Sequence, residues 1–342
     1  MKHESLQCAR TAILAAFLSF SPTARGADLL VPKEYTTIQS AIENAKPGDR
    51  VLVLKGTYRE RLALRAGVTV KSAGDDSKGK TGLRRAEQTI LDHPEGKGPG
   101  VSMARGATLD GFTVTGVGRY DNAKWKKHHA TQGNMQSHEH IGQPGMPGIE
   151  VREDCTVINN IVHHVGYTGI GITGAKDRKV SPRIANNICY RNMGGGIGSM
   201  KGSSALIEGN ICFENFYAGI GHNGASPKVR GNHCYGNIRA GIGISEGSSP
   251  VVTNNRCHDN LRAGIGIRTG KDTRPLVENN DCFDNLMAGI GTEEDARPII
   301  RGNRCKGNKL AGIGARHGAN PEILNNECTA NGAAGIGLEH EA

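Results

Sequence analysis

A short phrase built around Gly-Ile-Gly recurs through the second half of the chain at nearly constant spacing. Its central isoleucine returns after 22 or 23 residues in most repeats, with one step of 25 and one of 27. A period in this range is typical of repeat architectures, in which one unit buries its apolar face only by stacking on its neighbours. The phrase therefore predicts a solenoid, with the longer steps absorbed by loops at Ala175–Val180 and Gly270–Arg274. The eight isoleucines are Ile170, Ile197, Ile220, Ile242, Ile265, Ile290, Ile313 and Ile336.

Three other columns of residues keep the same period. Each repeat has a cysteine, an asparagine two residues before it and a second asparagine three residues after it. An aliphatic residue lies three positions before the first asparagine, from Ile184 to Ile323. Each coil thus has three apolar points, which predicts three short strands per turn, paired in parallel with the next coil about 4.8 Å away. The cysteines are Cys189, Cys212, Cys234, Cys257, Cys282, Cys305 and Cys328.

The asparagine and cysteine columns have a structural interpretation. Asparagine tolerates a left-handed backbone, and stacked amides bond to one another along a column, so we expect these residues at the bends. Cysteines one coil apart hold their β carbons farther apart than a relaxed disulfide requires. We therefore expect buried free thiols that pack as small apolar groups, with a metal–thiolate column as the alternative.

The first 27 residues predict a signal peptide. A charged segment with Lys2 and Arg10 precedes a short apolar run, Thr11–Phe20, and small residues lead to Ala27. The run is too short to cross a bilayer comfortably and no second one follows, so we expect no stable membrane insertion. The mature protein, residues 28–342, is expected in the periplasm or outside the cell; a retained anchor is the alternative.

The N-terminal third predicts less regular coils of the same body. Apolar positions in Thr36–Ala45 share one face of a short helix, which would cover the open end of the solenoid. Regular coils are expected over residues 155–342, and a long loop insertion over residues 117–148. The strand-like runs of the N-terminal third are Val51–Leu54, Val68–Val70, Thr89–Leu91 and Ala107–Val114.

Four segments carry a resemblance to a known family: Tyr35–Ile42, Gly48–Val51, Gly56–Glu60 and Leu109–Val114. With the repeats, they resemble the pectin-lyase-like superfamily. The resemblance implies an all-β fold, a single-stranded right-handed parallel β-helix with a short N-terminal capping helix. It implies little about activity, because the superfamily includes lyases, hydrolases, epimerases, esterases and non-catalytic proteins. The chain is most similar to the repeat-rich, NosD-like group, which includes maturation factors for the copper sites of nitrous oxide reductase.

A polar stripe follows the Gly-Ile-Gly phrase, because alternation points the next residue inward and the one after it outward. Glu246 and Glu293 lie two coils apart, roughly 10 Å, which is near the carboxylate separation of inverting glycosidases. For a lyase, Lys201 or Arg268 would be the base. The alternative is a solvated face whose charges pair with one another. The candidate catalytic residues of the stripe are Lys201, Glu246, Arg268 and Glu293, and its candidate substrate-binding residues are Arg316 and His317.

His222 takes the inward position after the phrase, where other coils carry Ile, Ser, Thr or Ala. We expect a buried histidine with satisfied hydrogen bonds; a catalytic histidine is the alternative. The clustered aspartates of polygalacturonases are missing, and Asp92-His93-Pro94 reverses the Asp-Pro-His order of alginate epimerases. Both departures count against those specific activities.

The insertion at residues 117–148 is the clearest break in the repeat, and long loops on rigid scaffolds often carry function. One interpretation is a substrate lid, in which Trp125 stacks on a sugar and Lys126 and Lys127 hold an anion. The other is a metal site for copper, zinc or calcium, formed by histidines of the insertion together with His163 and His164. Its candidate ligands are His128, His129, His138 and His140, with Met135 and Met146 as soft ligands for copper.

A formal net charge of +9 favours acidic partners. Because the chain is expected to be exported, we expect an acidic polysaccharide and no nucleic acid. The leading hypothesis is an exported β-helix that binds such a polymer along the Gly-Ile-Gly edge under the insertion, with its cleavage by a lyase or hydrolase reaction as an additional hypothesis. The alternatives are a periplasmic metal-handling protein of the NosD type and a non-catalytic structural protein that self-associates through its C-terminal coil.

Overall fold

The computed structural model describes residues 26–93, 97–133, 145–174 and 178–339. Over these residues the chain winds into a right-handed parallel β-helix, which confirms the predicted fold. Three parallel sheets of 12, 11 and 11 strands form its described part, and after the first strand, Asp28–Val31, each coil contributes one short strand to each sheet. The predicted signal peptide lies almost wholly outside the described residues, so export stays a prediction.

Sheet 1 contains the strands Asp28–Val31, Arg50–Val53, Thr69–Ser72, Thr108–Asp110, Thr156–Ile158, Arg183–Ala185, Leu206–Glu208, Lys228–Arg230, Val251–Thr253, Leu276–Glu278, Ile299–Arg301 and Glu322–Leu324. Sheet 2, which carries the Gly-Ile-Gly phrase, contains Leu62–Ala63, Val101–Ser102, Ile149–Val151, Ile170–Ile172, Ile197–Met200, Ile220–Asn223, Ile242–Ser245, Ile265–Ile267, Ile290–Thr292, Ala311–Ala315 and Ala334–Leu338. Sheet 3, which carries the cysteines, contains Gly56–Tyr58, Thr89–Asp92, Thr113–Thr115, Ile161–His163, Ile188–Tyr190, Ile211–Phe213, His233–Tyr235, Arg256–His258, Asp281–Phe283, Arg304–Lys306 and Glu327–Thr329.

The core is made of the three predicted columns. Successive coils pair in register, so Ile220 lies opposite Ile242 and Cys212 opposite Cys234. Most of these side chains are fully buried. No disulfide links the cysteines of the described residues, and all of them but the partly exposed Cys328 are buried. The cysteines therefore pack as small apolar groups, as predicted.

The asparagines form two buried ladders along the solenoid. Asn237 donates from Nδ2 to Oδ1 of Asn260 over 3.0 Å and to the carbonyl oxygen of Cys212 over 3.0 Å. Its backbone N–H donates to the same Oδ1 over 3.2 Å. One detail of the prediction is wrong: the left-handed backbone lies one position before each ladder asparagine, for example at Asp259, where φ is 52°. The ladder asparagines thus satisfy buried backbone groups rather than form the bend themselves.

The first glycine of each phrase packs against the next coil. A Cβ added at Gly264 would lie 2.7 Å from the carbonyl oxygen of Gly289, 2.8 Å from Nδ2 of Asn285 and 3.1 Å from Cβ of Cys282. Such contacts are too short for a side chain, so the close stacking of Asn and Cys requires glycine at this position.

In the part of the chain that the structure describes, three helices interrupt the coils: α1 (Ile38–Asn44), α2 (Arg84–Gln88) and α3 (Asn122–Ala130). Helix α1 buries Ile38, Ala41 and Ile42 over the first coil, as was predicted for the N-terminal cap. Thr37 begins it by accepting a bond from the N–H of Ser40. In the described residues, no helix has the length and apolar character needed to cross a bilayer.

Candidate functional site

A long groove runs along the outer face of sheet 2, parallel to the solenoid axis. Its cavity volume is about 540 Å³. The second glycine of the phrase forms the floor in seven successive coils, and the groove begins after Gly171, where an added Cβ would lie 3.1 Å from Pro147. The floor glycines are Gly198, Gly221, Gly243, Gly266, Gly291, Gly314 and Gly337.

Six of the seven floor glycines are not required by the packing of the fold; the exception is Gly198, where an added Cβ would lie 3.1 Å from Cγ2 of Thr168. Their backbone is outside the left-handed region. A Cβ added at Gly266 would lie 3.5 Å from the Ala240 Cβ, an ordinary contact, and one added at Gly221 would meet nothing within 4 Å. Glycine inside a strand weakens it and often marks a place where a ligand approaches the backbone closely. The floor therefore has the form of a binding surface, in contrast to the first glycine of the same phrase.

Two walls flank the floor. The first wall consists of the residues three positions before each central isoleucine, and the second wall is the predicted outward stripe. Alternation is as predicted: Ile267 is buried and Arg268, which follows it, is partly exposed. The first wall includes Tyr167, Tyr217, Arg239, Arg262, Met287 and Leu310, and the second wall Met200, Asn223, Ser245, Arg268, Glu293, Arg316 and Glu339.

Arginines from both walls meet in the middle of the groove. Arg239, Arg262 and Arg268 belong to two consecutive coils. Burial, together with the positive charges of Arg262 and Arg268, lowers the pKa of Arg239 to about 10, and the Glu293 carboxylate acts in the opposite direction. Burial likewise lowers the pKa of Arg262. Desolvated cations held close together repel one another, so an anion in the groove would relieve their repulsion.

Carboxylates also line the groove, at Glu246, Glu293 and Glu339. Glu293 is bound by Arg316, whose Nε and Nη2 donate to its Oε2 over 2.9 and 2.7 Å. Glu246 lies on the exposed rim in a left-handed backbone conformation, with φ of 58°. The second wall thus carries one internal ion pair beside the arginine cluster.

The predicted stripe residues divide into two groups. Glu246, Arg268, Glu293 and Arg316 line the groove. Lys201 and His317 are exposed and lie in the turns beyond the second wall, outside the groove lining.

His222 lies under the groove floor with its side chain toward the core, and it is only 3% exposed. Neither ring nitrogen has a hydrogen-bond partner among the described residues, so the expectation of a satisfied histidine is wrong. Burial lowers the pKa of His222 to about 3, so its imidazole is neutral at ordinary pH. His222 is nevertheless among the residues that line the groove, although its side chain takes the inward position of the strand.

The described part of the insertion forms α3, which packs outside the first wall and not over the second. Trp125 is 4% exposed, and its Nε1 donates to the carbonyl oxygen of Glu214 over 2.8 Å. The His129 ring stacks on it at 4.7 Å, and the Arg191 guanidinium lies 3.6 Å from its ring centre. The predicted role of Trp125 as a sugar platform is therefore corrected: its faces are already occupied. Lys126 and Lys127 are exposed on the same helix.

The predicted ligands on α3 pack against aromatic rings, whereas His163 and His164 bring their Nδ1 atoms within 2.7 Å of each other. His128 is buried edge-on against Phe216, and His129 stacks on Trp125. Within that part of the chain, no three His, Cys, Asp or Glu side chains are placed to hold a metal ion. His138, His140 and Met135 lie outside the described residues, so the site for copper, zinc or calcium stays a prediction.

Sequence reasoning missed the first wall. Tyr217, Arg239 and Arg262 precede the phrase by a fixed interval, but their column has no repeated identity. The sequence did offer one signal. The residues before and after the phrase flank the same strand of sheet 2, so a groove beside the predicted stripe is also lined by the residues that precede the phrase.

Solved structures share this fold at low identity. The A-module of mannuronan C-5 epimerase AlgE4 from Azotobacter vinelandii is 16% identical with a TM-score of 0.61, over 88% of this chain and 92% of that chain. The periplasmic alginate epimerase AlgG is 12% identical with a TM-score of 0.52, over 91% and 83%. The catalytic domain of a GH87 α-1,3-glucanase in complex with nigerose is 14% identical with a TM-score of 0.54, over 92% and 66%.

No curated protein matches the sequence significantly. The family described as "Right handed beta helix region" matches residues 140–273 and 219–342, which together span more than half of the chain. The chain therefore belongs to the right-handed β-helix family.

Proposed function

We propose that this protein binds an acidic polysaccharide lengthwise in the sheet 2 groove. The observation that carries the proposal is the combination of a glycine floor with arginines on both walls. Coils are spaced by about 4.8 Å, similar to the length of one sugar in an extended polymer, so successive sugars would meet successive coils. The acidic side groups would then lie against Arg239, Arg262 and Arg268.

Arginine suits this role because its planar guanidinium binds a carboxylate through two parallel hydrogen bonds. The partial burial of Arg239 and Arg262 strengthens such bonds, since less water screens them. The similar structures include two epimerases of alginate or mannuronan and a glucanase bound to nigerose, and their low identity supports the fold rather than a shared substrate.

The groove supports binding better than cleavage. Glu293 is bound to Arg316, and His222 faces the core. Glu246 and Glu293 remain the candidate pair for an inverting hydrolase, and Arg268 the candidate base for a lyase. Assays for new reducing ends and for unsaturated products therefore belong beside the binding measurement.

The test compares affinities for polyuronates and sulfated glycans with those for a neutral glucan, by calorimetry at fixed salt. We expect binding to the acidic polymers only, and about a tenfold loss for Arg239→Ala or Arg268→Ala, since each removes a charge-assisted bond. Gly266→Leu should also reduce binding, because the leucine side chain would project from the floor into the groove.

Arg301→Ala is the matched control. It removes the same charge from an exposed pair with Glu278 on sheet 1, away from the groove. Equal losses from Arg301→Ala and Arg268→Ala would show diffuse charge attraction and overturn the assignment to the groove. The absence of binding to every acidic polymer would overturn the proposal itself.

A further inference from the structure

We propose that α3 and the turn after it act as a strut that positions Arg262 in the groove, with Trp125 as the positioning residue that anchors the strut. This inference rests on the proposed binding function. It assigns a role to the insertion that differs from both a lid and a metal site.

Among the described residues, a hydrogen bond joins the strut to the groove. Arg262 donates from Nη2 to the carbonyl oxygen of Gly133 over 2.9 Å. Its Nε is buried and has no hydrogen-bond partner among the described residues. A long arginine side chain has many rotamers, and one fixed donor removes much of that freedom before a ligand arrives. The Gly133 carbonyl thus sets the direction of the guanidinium.

Gly133 is held against the solenoid by close backbone packing. It has a φ of +68°, and a Cβ added there would lie 2.8 Å from the carbonyl oxygen of Ile238. Its N–H donates to the carbonyl oxygen of His128 over 2.9 Å, which ends α3 in the left-handed turn that glycine favours. Any other residue at this position would move the turn away from Ile238.

Helix α3 depends on its anchor, because nine residues are too few for an isolated helix to be stable in water. Trp125 supplies that anchor through its bond to Glu214. Its ring also packs in an apolar cluster with Met193, Phe216 and Ile238. A continuous series of contacts therefore links the buried Trp125, through α3 and Gly133, to Arg262. Gly133 and Arg262 are 129 positions apart in the sequence.

The first experiment needs no polysaccharide. An arginine-specific dicarbonyl reagent is applied to the full protein, and the rate of modification at each arginine is read by peptide mass spectrometry. We expect Arg262 to react several-fold faster in Gly133→Ala and in Trp125→Ala than in the wild-type protein. The rate of modification at Arg301 should not change. Trp125→Phe, which keeps an aromatic ring but loses the bond to Glu214, should give an intermediate rate. An unchanged rate at Arg262 would overturn the inference.

The second experiment measures coupling in binding to a polyuronate. Arg262→Ala and Gly133→Ala should each weaken binding by about three- to tenfold, and the double variant should be no weaker than Arg262→Ala alone, because the two act through one group. Additive losses would mean that the turn contacts the polymer by itself, and they would overturn the strut.

Gly231→Ala is the matched control for backbone strain. Gly231 also has a left-handed φ, of 62°, but an added Cβ there would meet nothing within 4 Å. It should leave both the modification rate and the affinity unchanged. If no polyuronate binds while Arg262 still reacts faster in Gly133→Ala, the positioning of Arg262 by the strut is supported and the proposed binding function is wrong.

Discussion

Gly264 and Gly266 lie two residues apart in one repeat but face opposite environments. A Cβ at Gly264 would lie 2.7 Å from the carbonyl oxygen of Gly289 in the core, whereas one at Gly266 would lie 3.5 Å from the Ala240 Cβ in an open groove. The same residue type is therefore used once for close packing and once for a flat external surface.

Substituting each of these glycines by alanine should separate the two uses. Gly264→Ala should lower the free energy of unfolding by about 1–3 kcal/mol or more, since the new methyl group overpacks the core. Gly266→Ala should leave it unchanged or raise it by about 0.4–1 kcal/mol, because alanine restricts the unfolded chain. Urea unfolding of the two variants measures the difference, and equal midpoints would show that Gly266 is also a packing residue.

The asparagine ladder should be costly to interrupt. Asn260 accepts from the backbone and side chain of Asn237, and it donates to Cys234 and Asn285. Asn260→Ala leaves buried donors and acceptors without partners, each at about 1–3 kcal/mol, so we expect a loss of at least about 3 kcal/mol.

Asn320→Ala provides the comparison for the ladder, because Asn320 is exposed outside it. This variant should change the unfolding free energy by less than about 0.5 kcal/mol. A small effect at both sites would mean that water replaces the ladder bonds and that the ladder contributes little.

The columns were predictable because stacking turns a repeated residue into a spatial column. Cys257 and Ile265 are buried as predicted since the register never slips between coils. Turn geometry was less predictable, because the left-handed residue precedes the ladder asparagine by one position. That offset depends on backbone geometry, which asparagine, aspartate and glycine satisfy almost equally.

Contacts between residues far apart in the sequence determine those features of the candidate site that the sequence could not predict. Trp125 is buried through a bond to Glu214, 89 positions away, and no local pattern encodes that partner. Arg262 faces the groove from a column without a repeated identity. Whether His222 would find hydrogen-bond partners also depended on the neighbours above and below it in three dimensions, not on its place in the phrase.

The cysteine column should be chemically inert in the folded protein. Burial, together with the neighbouring thiols of Cys189 and Cys234, holds the pKa of the Cys212 thiol well above its usual value, which keeps it protonated and unreactive. Cys328 is partly exposed, while the other cysteines of the described residues are buried. A thiol-alkylating reagent should therefore modify Cys328 first, and the others only after unfolding.

Peptide mapping by mass spectrometry distinguishes these thiols. Cys328→Ser should abolish the fast reaction in the folded protein without changing the number of thiols that react only after unfolding in urea. Disulfide-linked peptides in the purified protein would contradict the interpretation of the column as free thiols.

Acid should destabilise the protein partly through His222. Burial lowers its pKa to about 3 in the folded state, whereas an unfolded histidine titrates near 6.5. The unfolded state therefore takes up the proton first, so the stability contributed by neutral His222 is complete above about pH 6.5 and falls as the pH decreases toward 3. The loss from this group at pH 5 is about 2 kcal/mol.

His222→Ile isolates that contribution, because isoleucine occupies the same inward position at residues 244 and 267. His163 and His233 also have pKa values lowered by burial, to about 4, so the wild-type protein loses stability in acid through several groups. Only the difference between variant and wild type reports on His222.

Urea unfolding between pH 7 and pH 5 should show a flatter pH dependence for His222→Ile. Thr292→Val, which changes the same column without removing a titrating group, should keep the wild-type slope. Parallel pH profiles for His222→Ile and the wild type would mean that the imidazole is protonated in place or reaches water, and that this part of the core is less closed than its burial implies.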